Sequence, residues 1–296
     1  MTLSAPIVKA LATAGLDPGH VEEVARRTLA EDLMGGVDVT TVATVPFDQE
    51  GVADIVARAP GVVAGLPVAA AVFELAADDD LIATLGKEDG DSVVRGDVVM
   101  NVRGLTRTLL TAERSALNIA CHLSGIATQT RIWADEIAGT KATILDTRKT
   151  TPGLRVLEKY AVRCGGGSGY RMGLSDAAMV KDNHVVAAGG VAEAYRRVRA
   201  TFPEVPVEVE CDSVTQVEEA IEAGADLLLL DNMTTDQLRE CVRVAAGRAR
   251  LEASGGLTLD RAREVAETGV DYLSVGALTH SAPVLDLGFD LRAKEA

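Results

Sequence analysis

From residue 142 onward the chain repeats one unit: a short apolar run, a polar tip, then a stretch with helical spacing. The runs fall at 142–145, 177–180, 205–209, 227–230, 250–253 and 272–275, the last four about 22 residues apart. That interval fits a strand, a helix and their short connections, and apolar strands alternating with helices predict an α/β fold with a parallel sheet buried on both faces. Such a sheet either closes into a barrel or stays open. Closure is favoured because polar residues stand at nearly every strand end: Asp146, Arg148 and Lys149; Lys181, Asp182, Asn183 and His184; Glu210 and Asp212; Asp231 and Asn232; Ser254, Gly255 and Gly256; and Gly276. In a barrel all those ends share one face, whereas an open sheet gathers only a few of them at a switch point.

The first 110 residues follow a different pattern. Residues 51–65 and 80–104 alternate apolar and polar positions between glycine turns, which predicts antiparallel strands. Residues 6–16 read as a short helix. A long helix is predicted from an N-cap at Thr111, with Glu113 in its first turn, toward Ile137. Arg114 then lies near the helix start, away from any strand tip, as a surface arginine.

Composition narrows the function. A chain of 296 residues holds one large α/β domain or two domains. Aromatics make up only 3% of it, too few for a surface that stacks on bases, so nucleic acid is not an expected partner. Cys121, Cys164, Cys211 and Cys241 form no CxxC pair and no metal-like spacing with the histidines. Neither a disulfide framework nor a zinc site is expected, and a reducing cytoplasm fits best. No signal peptide and no membrane-spanning segment is legible in the chain.

Charge locates the chemistry. Net charge is -15, yet residues 146–184 carry Arg148, Lys149, Arg155, Lys159, Arg163, Arg171 and Lys181 against Asp146, Glu158, Asp176 and Asp182, a local balance of +3. A confined positive cluster in an acidic protein suits a small polyanion; the alternative is a solvated helix face. Position divides the run: Arg148, Lys149 and Lys181 stand at strand tips, Arg155 and Lys159 read as helix-face residues, and Arg163 has no assignment. Arginine forks such as Arg148 and Arg171 orient a small acid, while Lys149 and Lys181 act as mobile point charges. Glu210 and Asp231 supply hard oxygen ligands or electrostatic partners for Mg²⁺ bridged to phosphates. Ser254-Gly255-Gly256 and Gly276 offer bare backbone to a phosphate. Together these describe a phosphorylated sugar and a carboxylic acid, although Glu208 and Glu210 also fit a solvated edge. No nucleophilic triad is visible, because Ser175 and Ser254 have no histidine placed by pattern and His184 reads as a hydrogen-bonding strand-end residue. Lys181 also suits a Schiff base, a rival reading as an aldolase-type or decarboxylating barrel lyase.

The motifs themselves carry a resemblance. Asp146-Thr147-Arg148-Lys149-Thr150-Thr151-Pro152-Gly153-Leu154-Arg155 is followed by Glu158-Lys159-Tyr160-Ala161-Val162, Gly165-Gly166-Gly167, Arg171-Met172-Gly173-Leu174-Ser175-Asp176 and Lys181-Asp182-Asn183-His184. This series closely resembles the quinolinate phosphoribosyltransferase (nicotinate-nucleotide pyrophosphorylase) family. The similarity extends to Glu31-Asp32, Asp38-Val39-Thr40-Thr41, Glu113-Arg114-Ser115-Ala116-Leu117-Asn118, His122-Leu123-Ser124-Gly125 and Ala253-Ser254-Gly255-Gly256.

The resemblance implies an N-terminal α/β open-faced sandwich at residues 1–113, with a tail at about 283–296 packing on it, and an incomplete, seven-stranded or similar α/β barrel at 114–282. It implies condensation of quinolinate with phosphoribosyl pyrophosphate to nicotinate mononucleotide, pyrophosphate and CO₂, a step of NAD biosynthesis. It also implies a homodimer in which Arg114 reaches the partner's site. Arg148, Arg171 and Lys181 match residues that hold the pyridine acid, and Lys149 one that meets the phosphoribosyl donor. Glu210 and Asp231 match carboxylates near the ribose and its Mg²⁺-pyrophosphate, and Ser254, Gly255, Gly256 and Gly276 the loops that take the 5′-phosphate. One position departs from the pattern. Where the family usually has Asn-His, this chain has Gly169-Tyr170, so an acid-binding imidazole has become a neutral phenol; Tyr170 is still expected to bind the acid as a hydrogen-bond donor. The acid is then quinolinate in an adjusted pocket, or another aromatic acid handled by a paralogue.

Overall fold

The computed structural model describes residues 3–77 and 81–293. Residues 80 and 294–296, parts of the expected strand region and tail, lie outside the described residues. The chain begins α1 (Ala5–Thr13), α2 (Pro18–Leu33), α3 (Val39–Thr44), β1 (Glu50–Ala57), β2 (Gly61–Val62), α4 (Leu66–Ala76), β3 (Ile82–Leu85), β4 (Ser92–Val93) and β5 (Val98–Leu105). It continues through α5 (Thr106–Glu136), β6 (Thr143–Leu145), α6 (Arg155–Cys164), β7 (Ala178–Val180), α7 (Asp182–Ala188), α8 (Val191–Thr201) and β8 (Val207–Cys211). It ends α9 (Val214–Glu222), β9 (Leu227–Asp231), α10 (Thr235–Ala245), β10 (Arg250–Ser254), α11 (Leu259–Ala266), β11 (Tyr272–Ser274), α12 (Ala277–His280) and β12 (Leu287–Ala293). Two compact units divide it, the first made of Met1–Gln129, Val156–Gly165 and Ala282–Ala296, the second of Thr130–Arg155 and Gly166–Ser281.

In the first unit an antiparallel sheet of order β12-β1-β5-β3 packs under α4. That helix is apolar nearly all round, and Leu66 through Phe73 are all buried, as such a surface requires. Asp89 secures its start by accepting from the N–H groups of Gly65 (2.7 Å) and Leu66 (3.0 Å). Its Oδ2 also accepts from the Tyr160 hydroxyl at 2.6 Å, which ties α6 into the same unit. Burial pushes the Asp89 carboxyl up, while these hydrogen bonds pull it down. The Arg163 guanidinium lies 5.5 Å above the Tyr160 ring, a cation–π contact, so the unassigned cation of the basic run has a structural partner.

In the second unit six parallel strands run in the order β6-β11-β10-β9-β8-β7. Central β9 reads Leu227-Leu228-Leu229-Leu230, buried throughout, as a strand covered on both faces must be. Beyond β6 a single parallel bridge joins Leu145 to Ser168, where another strand would continue the curve. Among the described residues β6 and β7 do not pair, so the barrel is incomplete.

Three expectations need correction. The long helix starts at Thr106, not Thr111, because β5 passes into it without a loop; the Thr106 N–H, still tied to Gln49 O at 2.8 Å, marks the junction. Arg114 therefore lies well inside the helix. Lys159 is not on a solvated face: α6 buries every residue from Leu157 to Val162. Glu208 is not a solvated edge either. β8 lies between β7 and β9, and Glu208 is 0% exposed.

Candidate active site

The C-terminal ends of the second unit's strands bring most of the nominated residues together. Arg148 follows β6, and its Nε is buried without a hydrogen-bond partner. Burial first, then the neighbouring guanidinium groups of Arg171 and Arg155, push its pKa down; Asp176 alone opposes them. Like charges crowded at a half-buried position repel one another, and an anion placed among them relieves that. Arg155 is not a free helix-face residue, for it donates to Thr150 Oγ1 and to Met172 O, both at 3.0 Å. It thereby ties together the loop after β6 and the loop before β7.

Lys149 is exposed at the same tip, and its carbonyl accepts from Thr279 Oγ1 at 2.8 Å. Its side chain crosses Gly276, which places two of the nominated phosphate residues side by side. Lys181 precedes α7, and its N–H donates to His184 Nδ1 at 2.9 Å; the histidine hydrogen-bonds as expected, but from the first turn of α7 rather than from a strand end. Burial pushes the Glu210 carboxyl up, Lys181 pulls it down, and Asp231 and Asp182 push it up again. Lys181, Glu210 and Asp231 thus sense one another across three strand tips.

The β9 and β10 tips interlock through Asn232, which sits in the left-handed region at φ 55° and donates from Nδ2 to Asp231 Oδ2 at 2.7 Å. Its Oδ1 lies where a Cβ of Gly255 would be, and Gly255 itself has φ 85°, so only glycine fits this turn. Ser254, Gly255 and Gly256 line a small cavity of about 30 Å³ together with Arg261. Arg261, on α11, and His280, whose ring stands 3.4 Å from the Cβ position at Gly276, were not nominated from sequence. A basic residue five positions past the Ser-Gly-Gly run was the available signal for Arg261.

The departure at Gly169-Tyr170 has a visible local cause. A Cβ at residue 169 would lie 2.6 Å from Asp146 Oδ2, so this chain's close approach of Asp146 requires glycine there. The Tyr170 hydroxyl is buried without a hydrogen-bond partner, and burial together with the Glu208 charge raises its pKa to about 12. It is neutral across the physiological range. Arg171, nine-tenths buried, makes two long contacts, to Ala177 O at 3.5 Å and Met179 Sδ at 3.6 Å. Arg114 belongs to the first unit, where its side chain is 63% exposed and stands 3.7 Å from Glu113.

No group of three or more metal-ligating side chains occurs among the described residues. Glu210 and Asp231 are a hard-oxygen pair, a donor set that fits Mg²⁺ completed by a substrate's phosphates rather than by protein alone. No helix among the described residues is long and apolar enough to cross a membrane.

Comparison with known proteins places this geometry. The profile of the quinolinate phosphoribosyl transferase N-terminal domain matches residues 38–124, and that of the C-terminal domain matches residues 126–290. Nicotinate-nucleotide pyrophosphorylase [carboxylating] of Mycobacterium leprae is 50% identical over 270 residues, 90% of this chain and 95% of that protein. A probable nicotinate-nucleotide pyrophosphorylase [carboxylating] of Bacillus subtilis is 43% identical over 257 residues, 86% of this chain and 89% of its own. The crystal structure of NadC from Streptococcus pyogenes superposes with a TM-score of 0.90 at 40% identity, covering 95% of this chain and 99% of that one.

Proposed function

The chain belongs to the quinolinate phosphoribosyltransferase family, and on that premise we propose that it joins quinolinate to phosphoribosyl pyrophosphate, releasing pyrophosphate and CO₂ and forming nicotinate mononucleotide for NAD biosynthesis. The observation that carries this reading is the guanidinium cluster of Arg148, Arg171 and Arg155, set in one unit with the Lys181, Glu210 and Asp231 tips. A dianionic acid suits such a cluster, and the ribose and phosphates suit the rest. The relatives give no support to a Schiff base on Lys181.

Arg148 and Arg171 grip the acid's carboxylates, and Lys181 adds a point charge. Tyr170 occupies the place of the acid-binding histidine. The ring nitrogen attacks C1 of the ribose as pyrophosphate leaves, through an oxocarbenium-like state. Glu210 or Asp231 stabilises the positive charge that develops there, and Lys149 the departing pyrophosphate. Glu210 and Asp231 would hold Mg²⁺ here, and the ion would supply charge neutralisation. Loss of the carboxylate beside the new cationic nitrogen follows as CO₂, since that charge stabilises the carbanion, which then takes a proton from water. Ser254, Gly255, Gly256 and Gly276 receive the 5′-phosphate. Arg114, exposed in the first unit, completes a partner protomer's site in a cytoplasmic homodimer.

Purified protein incubated with phosphoribosyl pyrophosphate, Mg²⁺ and a panel of pyridine and benzene carboxylic acids tests the proposal. Quinolinate-dependent release of pyrophosphate and CO₂ is expected. Release with some other acid and none with quinolinate overturns it. Sedimentation of the same sample reports the dimer.

A further inference from the structure

The turn after β9 is built more tightly than a connection requires. Asp231 closes the strand and Thr235 opens α10, so Asn232, Met233 and Thr234 alone link them. Thr234 fixes the far end of that link through a capping box with Gln237. Asn232 holds the near end at φ 55°, a conformation that glycine adopts at least cost and asparagine tolerates. A side chain is therefore kept where the backbone alone would favour none.

That side chain spans two functional tips. Nδ2 donates to Asp231 Oδ2 at 2.7 Å, and Oδ1 fills the space where a Gly255 Cβ would be. The Asn232 N–H donates to Ser254 O at 2.9 Å, one step beyond the register pair of Ser254 with Asp231. One residue thus ties the orientation of the Asp231 carboxylate to the position of the Ser-Gly-Gly loop. The outer torsion of an aspartate is broad, so a carboxylate without such a tether samples many orientations.

We propose that Asn232 is a positioning residue for the phosphoribosyl group: it holds Oδ2 of Asp231 so that Oδ1 meets the ribose at a fixed distance from the loop that takes the 5′-phosphate. Asn232 itself touches neither ribose nor phosphate. An amide suits the task, because it donates to a carboxylate and adds no charge that would repel the phosphates. The identity of the sugar phosphate rests on the proposed function; the tether joining Asn232, Asp231 and Gly255 does not.

Calorimetric titration of the full-length protein with ribose 5-phosphate and with inorganic phosphate, without Mg²⁺, separates the carboxylate from the loop. Asn232→Gly keeps the backbone conformation and removes the amide, Asp231→Asn removes the carboxylate, and the double variant combines them. Asn232→Gly should weaken ribose 5-phosphate about tenfold and phosphate about twofold or less, the melting temperature being held because glycine relieves the positive φ. In the Asp231→Asn background the same change should cost about twofold or less. Kinetics should agree, with kcat/KM for phosphoribosyl pyrophosphate about tenfold lower in Asn232→Gly and KM for quinolinate unaltered.

Equal weakening of both ligands would assign Asn232 to the loop alone and overturn the proposal. So would an equal loss with and without the Asp231 carboxylate. Wild-type protein that binds ribose 5-phosphate no more tightly than phosphate also overturns it, since the ribose then gains nothing from these tips. Turnover of quinolinate beside any of those results leaves the functional reading intact. The expected binding pattern in a protein inert toward quinolinate refutes that reading instead and leaves the role of Asn232 standing.

Discussion

Lys149 and Gly276 meet at the neighbouring tips of β6 and β11: a Cβ at residue 276 would stand 2.8 Å from Lys149 Cδ. Gly276 has helical backbone angles, φ -64° and ψ -32°, so alanine fits its conformation. Gly276→Ala should therefore fold with an unchanged melting temperature while displacing the lysine. Steady-state kinetics should show KM for phosphoribosyl pyrophosphate raised about tenfold and KM for quinolinate little altered.

Gly255→Ala should behave in the opposite way. Its φ is 85°, and the new Cβ would meet Asn232 Oδ1 at 2.3 Å and Asn232 N at 2.9 Å. The backbone strain alone costs about 1–3 kcal/mol, and the collision adds to it. Denaturant unfolding should show that loss directly.

Arg148→Ala removes one member of a cluster whose members repel one another. Activity should fall about a hundredfold in kcat/KM, the scale of one preorganised charged donor, or about 3 kcal/mol. The melting temperature should hold or rise, since the variant also removes a like charge. A fall in stability with turnover intact would contradict the assignment.

Glu208 gives a pH prediction with a definite sign. Burial first, and then the Glu252 charge, raise its pKa from 4.5 to about 9. The folded protein thus keeps a proton that the unfolded chain releases above its ordinary carboxylate pKa. Stability contributed by this group is full below that ordinary value, declines as pH rises toward about 9 and is level beyond. The slope is at most about 1.4 kcal/mol per pH unit. Glu208→Gln should flatten it, as urea midpoints at several pH values would show.

The strands and their tips were legible because two independent signals coincided there. Apolar runs at a fixed interval marked the sheet, and charge at the end of each run marked one face. The misses share a physical origin in burial that local pattern does not encode. Val207-Glu208-Val209-Glu210 has the alternation of a half-solvated strand, but β8 has a neighbour on each side and its glutamate faces the barrel interior. Lys159 sits in a helix with a strong polar face, yet that helix is buried along most of its length. The start of α5 was missed because no turn residues separate it from β5. Arg261 and His280 lie on helices beyond the tips, where strand periodicity gives no guide.

The last strand sets a condition on how the protein is made. β12 pairs with β1 in antiparallel register, and the Arg58–Asp290 ion pair beside that edge spans 232 positions. During synthesis the outer edge of β1 stays open until residues 287–293 have left the ribosome. An unpaired edge of this kind is a template for other chains, and contacts this distant in sequence form slowly. The first unit is therefore the part exposed to misassembly in a nascent or truncated chain, although it is made first. Loss of β12 would fall on the N-terminal sheet and leave the barrel's own strands intact.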